Sequence, residues 1–131
     1  MRLAGAGALV AGGASDLGEA TARALTSRGA GVAVVDRDGE RAQELAESLK
    51  VRDGAGTAAA VGIAADVTDE AQLEAAVETL GELRLAVSCA GIGWAERVVG
   101  REGAATLAPF ETVVRVNLIG TFNSCGSPRR P

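Results

Sequence analysis

The chain has no histidine and no tyrosine, and its 131 residues include only two cysteines, three prolines, two phenylalanines and one tryptophan. Without histidine, imidazole-ligated metal sites and triads built on an imidazole base are excluded, so no metal centre is expected. Without tyrosine, no step can draw its proton from a phenol of this chain. Cys89 and Cys125 are too few for a disulfide framework, which points to a reducing, cytoplasmic setting. Acidic residues outnumber basic ones 17 to 13 and the charges are scattered, so no basic stripe exists to follow a nucleic-acid backbone. No apolar run is long enough for a membrane span, and Met1–Gly5 lead within a few residues into a strand, so no cleavable targeting segment is expected.

What is present reads as a globular domain, with 47% hydrophobic and 23% charged residues. The length suffices for one core and is short for a complete dinucleotide-binding α/β domain. Ala8–Ala11 is a buried strand that ends in Gly12-Gly13. Leu17, Ala20, Ala24 and Leu25 stripe a helix that Gly29 stops. Val32–Val35 forms a second strand, and Asp38 caps a helix striped by Ala42, Leu45, Ala46 and Leu49. After a loop over 51–57, Ala58–Ala65 is a weak third strand. Asp69 and Gln72 open a helix, in the manner of a capping box, along which Leu73, Ala76, Val77 and Leu80 align. Leu83–Ser88 is a fourth strand, followed by a polar loop over about 92–105. The last helix starts near Thr106, with Pro109 in its first turn and Phe110, Val113, Val114 and Asn117 on one stripe. Apolar strands alternating with helices predict a Rossmann-type, doubly wound parallel sheet in the order 3-2-1-4.

The first turn, Gly12-Gly13-Ala14-Ser15-Asp16-Leu17-Gly18, joins a strand to a helix N-terminus. Small residues there admit a pyrophosphate to the backbone N–H groups, and the helix dipole favours its charge. An ordinary βα turn is the plain alternative. Asp36 ends the second strand, where a carboxylate accepts from an adenosine ribose and repels a 2′-phosphate, so NAD is favoured over NADP. Asp38 is the better helix cap of the two, which frees Asp36 for the ribose.

These residues resemble the short-chain dehydrogenase/reductase family, and in detail its type-2 3-hydroxyacyl-CoA dehydrogenase branch. Val10 to Gly18 is similar to the family's Thr-Gly-x-x-x-Gly-x-Gly turn, and Asp66-Val67 to the pair that contacts adenine after strand 3. Ser88-Cys89-Ala90-Gly91 resembles the Asn-Asn-Ala-Gly motif, with the branch's Cys in second place. Val116-Asn117-Leu118-Ile119-Gly120-Thr121-Phe122 matches the helix that carries the catalytic-tetrad Asn. The resemblance runs over about residues 3–123 with all four motifs in order. It implies that Gly12, Ser15, Leu17 and Gly18 form the pyrophosphate turn, that Asp36 holds the ribose, and that Asp66 and Val67 touch adenine. Cys89, Ala90 and Gly91 then border the nicotinamide-side ribose, and Asn117 is the one catalytic residue, helping to hold a water in the proton relay. On the residues alone, Cys89 reads as a buried small hydrophobe and Asn117 as a satisfied core amide. Departures from the pattern, Ala11 for Thr, Asp16 for Gly, Ser88 for Asn and Arg84 for an acid, imply weaker cofactor affinity.

The family's catalytic Ser and its Tyr-x-x-x-Lys follow the Asn helix, whereas here the apolar pattern breaks at Asn123 and the only lysine is Lys50. The expected organisation is therefore a nucleotide-binding domain over 1–123 and an irregular tail over 124–131. The leading expectation is an NAD-binding part of an oxidoreductase that does not transfer hydride alone and meets a small-molecule substrate only if the missing half is supplied. A second is a non-catalytic interaction module that pairs with a full-length relative, consistent with homo- or hetero-oligomers. A third, a methyltransferase-type nucleotide domain, has no place for the Val116–Phe122 helix.

Overall fold

The computed structural model describes residues 2–50 and 59–126. The chain runs β1 (Gly7–Ala11), α1 (Asp16–Thr26), β2 (Gly31–Asp36), α2 (Gly39–Lys50), β3 (Ala60–Ala64), α3 (Glu70–Glu78) and β4 (Leu83–Ser88). A two-stranded hairpin, β5 (Val99–Gly100) with β6 (Gly103–Ala104), then precedes α4 (Leu107–Val114), a π-helical turn (Arg115–Ile119) and α5 (Gly120–Gly126). The strands β3-β2-β1-β4 form one parallel sheet, in the order the sequence predicts. Ala58 and the 51–57 loop lie outside the described residues.

Side-chain alternation along the two central strands splits the core. Ala8, Val10, Val32 and Val34 pack with Ala22 and Leu25 of α1 and the Ala42, Leu45, Ala46, Leu49 stripe of α2. Leu9, Ala11, Ala33 and Val35 pack the opposite way against Leu73, Ala76 and Val77 of α3. Burial on both faces is why these strands read as unbroken apolar runs. Because the chain moves outward from β1 to β3 and then returns to pair β4 with β1, the strand order reverses between β1 and β4. Ligand crevices in open α/β sheets lie at such a switch point.

Three sequence expectations change. In α1 the buried face is Gly18, Ala22, Leu25 and Thr26, while Leu17, Ala20 and Ala24 are exposed. Alanine spacing carries little phase information, and the close approach of Gly18 to the turn sets the register instead. No residue of α4 is buried, and Phe110 is 64% exposed, so its apolar stripe is not a core stripe within this chain. α5 also continues to Gly126, past the break in the apolar pattern, because Ser124 is buried with its hydroxyl donating to the Gly120 carbonyl. Residues 127–131 lie outside the described set. Among the described residues, no helix is long and apolar enough to cross a membrane.

Candidate nucleotide site

The turn after β1 is held shut from three sides. Gly12 has φ +69°, and a Cβ there would meet the Ala90 nitrogen at 2.5 Å, so the turn lies directly against the end of β4. A Cβ on Gly18 would run into the Gly12 carbonyl. The Gly13 N–H donates to the Val35 carbonyl (3.0 Å), and the Ala14 N–H donates to Asp36 Oδ2 (3.0 Å). Ser15 caps α1: its Oγ accepts from the Gly18 N–H (3.2 Å) while its hydroxyl donates to the Gly12 carbonyl (2.7 Å). The next two amides, of Asp16 and Leu17, have no acceptor among the described residues. They are the unpaired donors expected of a helix N-terminus.

Asp36 is not left free, as the sequence suggested. Asp38 does cap α2, with its Oδ1 accepting from the Arg41 N–H (3.1 Å), yet Asp36 Oδ1 also accepts from the Asp38 N–H (3.0 Å). The Asp36 carboxylate thus braces both the turn and the start of α2, and each oxygen keeps further acceptor capacity.

After β3, Asp66 Oδ1 accepts from the Thr68 N–H (2.9 Å) and from the Thr68 hydroxyl (2.8 Å). These two bonds hold its carboxyl below the ordinary value of 3.8; partial burial opposes them, and Arg37 and Arg115 reinforce them. The expected capping box forms in its first half, with Asp69 Oδ1 accepting from the Gln72 N–H (3.1 Å), and is rearranged in its second. Gln72 donates through Nε2 to Asp69 Oδ2 (3.0 Å) and accepts through Oε1 from the Asp66 N–H (2.8 Å), which ties the adjacent loop to α3. The Val67 N–H has no partner among the described residues, and the Val67 carbonyl accepts from Asn123 Nδ2 (3.0 Å).

These segments meet in one cleft of about 180 Å³. Eight residues singled out from the sequence line it: Gly12, Ser15, Asp36, Asp66, Val67, Cys89, Ala90 and Gly91. Leu17 is 70% exposed, and neither it nor Gly18 reaches the wall, since Gly18 serves the helix–turn contact instead. Cys89 is half-buried, with its sulfur 4.0 Å from Thr21 Oγ1. Arg37, Ala65, Ile92 and Val116 complete the lining and were missed. Each is sequence-adjacent to a residue that was singled out, and adjacency at a strand end or helix turn was the available signal. A larger groove open to solvent runs past Asp69, Glu70, Glu74 and Arg115, but none of the predicted residues reaches it.

Asn117 is exposed rather than part of a buried stripe, yet both halves of its amide are satisfied. Its Oδ1 accepts from the Ile92 N–H and its Nδ2 donates to the Ile92 carbonyl, each at 2.8 Å. It sits in the π-helical turn, where the Thr121 hydroxyl donates to the Asn117 carbonyl (2.6 Å). Ser88 Oγ lies 3.3 Å from Thr121 Oγ1, so the shorter Ser88 side chain ties β4 to the last helix.

A short chain dehydrogenase family model matches residues 6–128. The chain belongs to the short-chain dehydrogenase family. Among curated relatives of this short-chain dehydrogenase chain, the 3-hydroxyacyl-CoA dehydrogenase type-2 of Bos taurus is 40% identical over 88% of the chain and 44% of its own length. The D-threitol dehydrogenase of Mycolicibacterium smegmatis is 36% identical over 95% of the chain and 46% of its own length. In solved structures, the 3-hydroxyacyl-CoA dehydrogenase type-2 of Mycobacterium avium superposes with a TM-score of 0.83 at 35% identity, covering 96% of this chain and 49% of that one. The chain therefore spans about half the length of the relatives it matches.

Proposed function

We propose that this chain is the NAD-binding portion of a short-chain dehydrogenase/reductase whose whole reaction is the NAD-dependent oxidation of a secondary alcohol of the 3-hydroxyacyl-CoA kind. The observation that carries the reading is that Asp36, the capped turn and the Asp66–Val67 pair share one cleft. The fit is chemical at each point. The open Asp16 and Leu17 amides at the α1 N-terminus, outside the cleft lining but next in sequence to Ser15 of its wall, suit a pyrophosphate. Asp36 retains acceptor capacity for ribose hydroxyls. Asp66 offers an acceptor and the Val67 N–H a donor, the pattern that complements the amino group and ring nitrogen of adenine. Cys89, Ala90 and Gly91 border the other sugar, and the Asn117 amide fixes the Ile92 backbone beside them. A bound nicotinamide would supply a hydride acceptor or donor. The substrate class follows from the relatives named 3-hydroxyacyl-CoA dehydrogenase type-2. Titration of the chain with NADH, followed by cofactor fluorescence, tests the reading: saturable binding weakened by Asp36→Ala is expected, and no binding overturns it.

A second reading, a non-catalytic module that pairs with another dehydrogenase subunit, is favoured by one observation. Leu107, Phe110, Leu118 and Phe122 along the last helix are each more than 60% exposed. Co-purification with a full-length relative, lost on Phe110→Glu, would support it.

A further inference from the structure

The Val67 N–H, the donor that the nucleotide reading assigns to adenine, has no partner among the described residues, so its direction is set by the peptides on either side. Upstream, the Asp66 N–H donates to Gln72 Oε1 (2.8 Å), which pins the 65–66 peptide to α3. Downstream, the 67–68 peptide is pinned at both ends. Its N–H, on Thr68, donates to Asp66 Oδ1 (2.9 Å), and its carbonyl, on Val67, accepts from Asn123 Nδ2 (3.0 Å). Asn123 stands on α5, 56 residues further along the chain. The same stretch of α5 confines the Val67 side chain, since a Cβ on Gly120 would meet Val67 Cγ2 at 2.5 Å. Val67 is 5% exposed, so its side chain and carbonyl are both held by α5 while its N–H stays unspent.

We infer that Asn123 is a positioning residue for base selectivity: by holding the Val67 carbonyl from α5, its amide fixes the loop that aims the Val67 N–H. This rests on the NAD reading and adds to it a residue outside the cleft lining, on a helix to which that reading gives no part in binding the base. The task requires an amide. A carbonyl only accepts, so a donor must face it, and neither alanine nor a carboxylate supplies one. Without that donor the buried Val67 carbonyl loses its partner, and the peptide is free to turn toward water. A bond that only stabilised the fold would not affect which base is preferred. Adenine presents a donor amino group and an acceptor ring nitrogen, whereas hypoxanthine presents a carbonyl and a ring N–H, the reverse order. A firmly aimed Val67 N–H beside the Asp66 carboxylate favours adenine, and a loosely aimed one loses that preference.

Fluorescence titration with NADH and with its hypoxanthine analogue, deamino-NADH, tests this on the wild-type chain, Asn123→Ala, Asn123→Asp and Ser124→Ala. Ser124 is a buried neighbour whose hydroxyl donates within its own helix, to the Gly120 carbonyl, so its variant loosens α5 without removing the bond to the loop. The readout is the ratio of the two affinities, which partial unfolding leaves unchanged because it scales both alike. The wild type is expected to prefer NADH by roughly tenfold. Both Asn123 variants should weaken NADH by roughly three- to tenfold and deamino-NADH by less than about twofold, so that the ratio falls toward one. Ser124→Ala should keep the wild-type ratio. A wild-type ratio retained in both Asn123 variants overturns the inference, and so does a ratio that falls equally in Ser124→Ala. Equal wild-type affinities for the two dinucleotides would remove base reading by this loop, and the inference with it. A wild-type chain that binds neither would instead remove the NAD reading.

Discussion

The Asp36 carboxylate accepts from Ala14 in the first turn and from Asp38 at the head of α2, so it is positioned before any ligand arrives. A 2′-phosphate next to it would face a fixed negative charge. NADH should therefore bind at least tenfold more tightly than NADPH, a difference of about 1.4 kcal/mol. Fluorescence titration with both cofactors checks this, and equal affinity would remove Asp36 from the ribose. Asp66 carries a pH signature. Its folded pKa is lowered by the Thr68 hydrogen bonds, so its contribution to stability is complete above the ordinary value of 3.8. It declines as pH falls below that value and is gone once pH passes the lower folded value. The stability difference between wild type and Asp66→Asn should accordingly be constant near neutrality and shrink only in that acid window, as measured by urea unfolding across pH. A difference that already shrinks between pH 6 and 5 would contradict the assignment.

At the scale of elements, the turn and helix α1 act as one piece. Ser15→Ala removes the cap on Gly18 and should cost about 1 kcal/mol. Gly18→Ala forces a methyl into the Gly12 carbonyl and should cost about 1–3 kcal/mol. Thermal melts that rank Ser15→Ala as the milder change would agree with this packing. The π-helical turn is tested by hydrogen exchange, because Asn117→Ala frees the Ile92 amide and should raise its exchange rate roughly fivefold, the worth of one hydrogen bond. These elements also show what was legible in the sequence. The α2 stripe was read correctly because Leu45 and Leu49 fix its phase, whereas α1, poor in large side chains, was read out of phase. Strand order and most of the cleft lining were legible because strand ends and Gly turns mark the crevice by position. Arg37, the Gln72 rearrangement and the Asn117 grip on Ile92 were not, since each depends on a partner far off in sequence or on a side chain that local patterning leaves unconstrained.

For the whole molecule, the sheet has unequal edges. β3 is covered by α2, while β4 and the last helix leave Leu107, Phe110, Leu118 and Phe122 in solvent. An apolar face of that extent favours association, so light scattering on the 131-residue chain should show oligomers, and Phe110→Glu should reduce them. A sharp-melting monomer would count against this. The same chain should have no measurable dehydrogenase activity. Moving hydride to or from a carbinol carbon requires a proton moved at the attached oxygen, and a positioned general acid or base contributes about 10²–10⁴-fold. The chain holds neither tyrosine nor histidine. The Asn117 amide does not titrate near neutral pH, and both its polar atoms are committed to Ile92. Cys89 lines the nucleotide cleft beside Ala90 and Gly91, where the reading places a sugar rather than a carbonyl substrate. Groups that act as a unit lose nearly everything when several are missing together. An NADH-consumption assay with acetoacetyl-CoA should stay at background while NADH still binds. Turnover that co-purifies with the chain and vanishes in Asn117→Ala would mean that a different catalytic set is built around the Ile92 clasp.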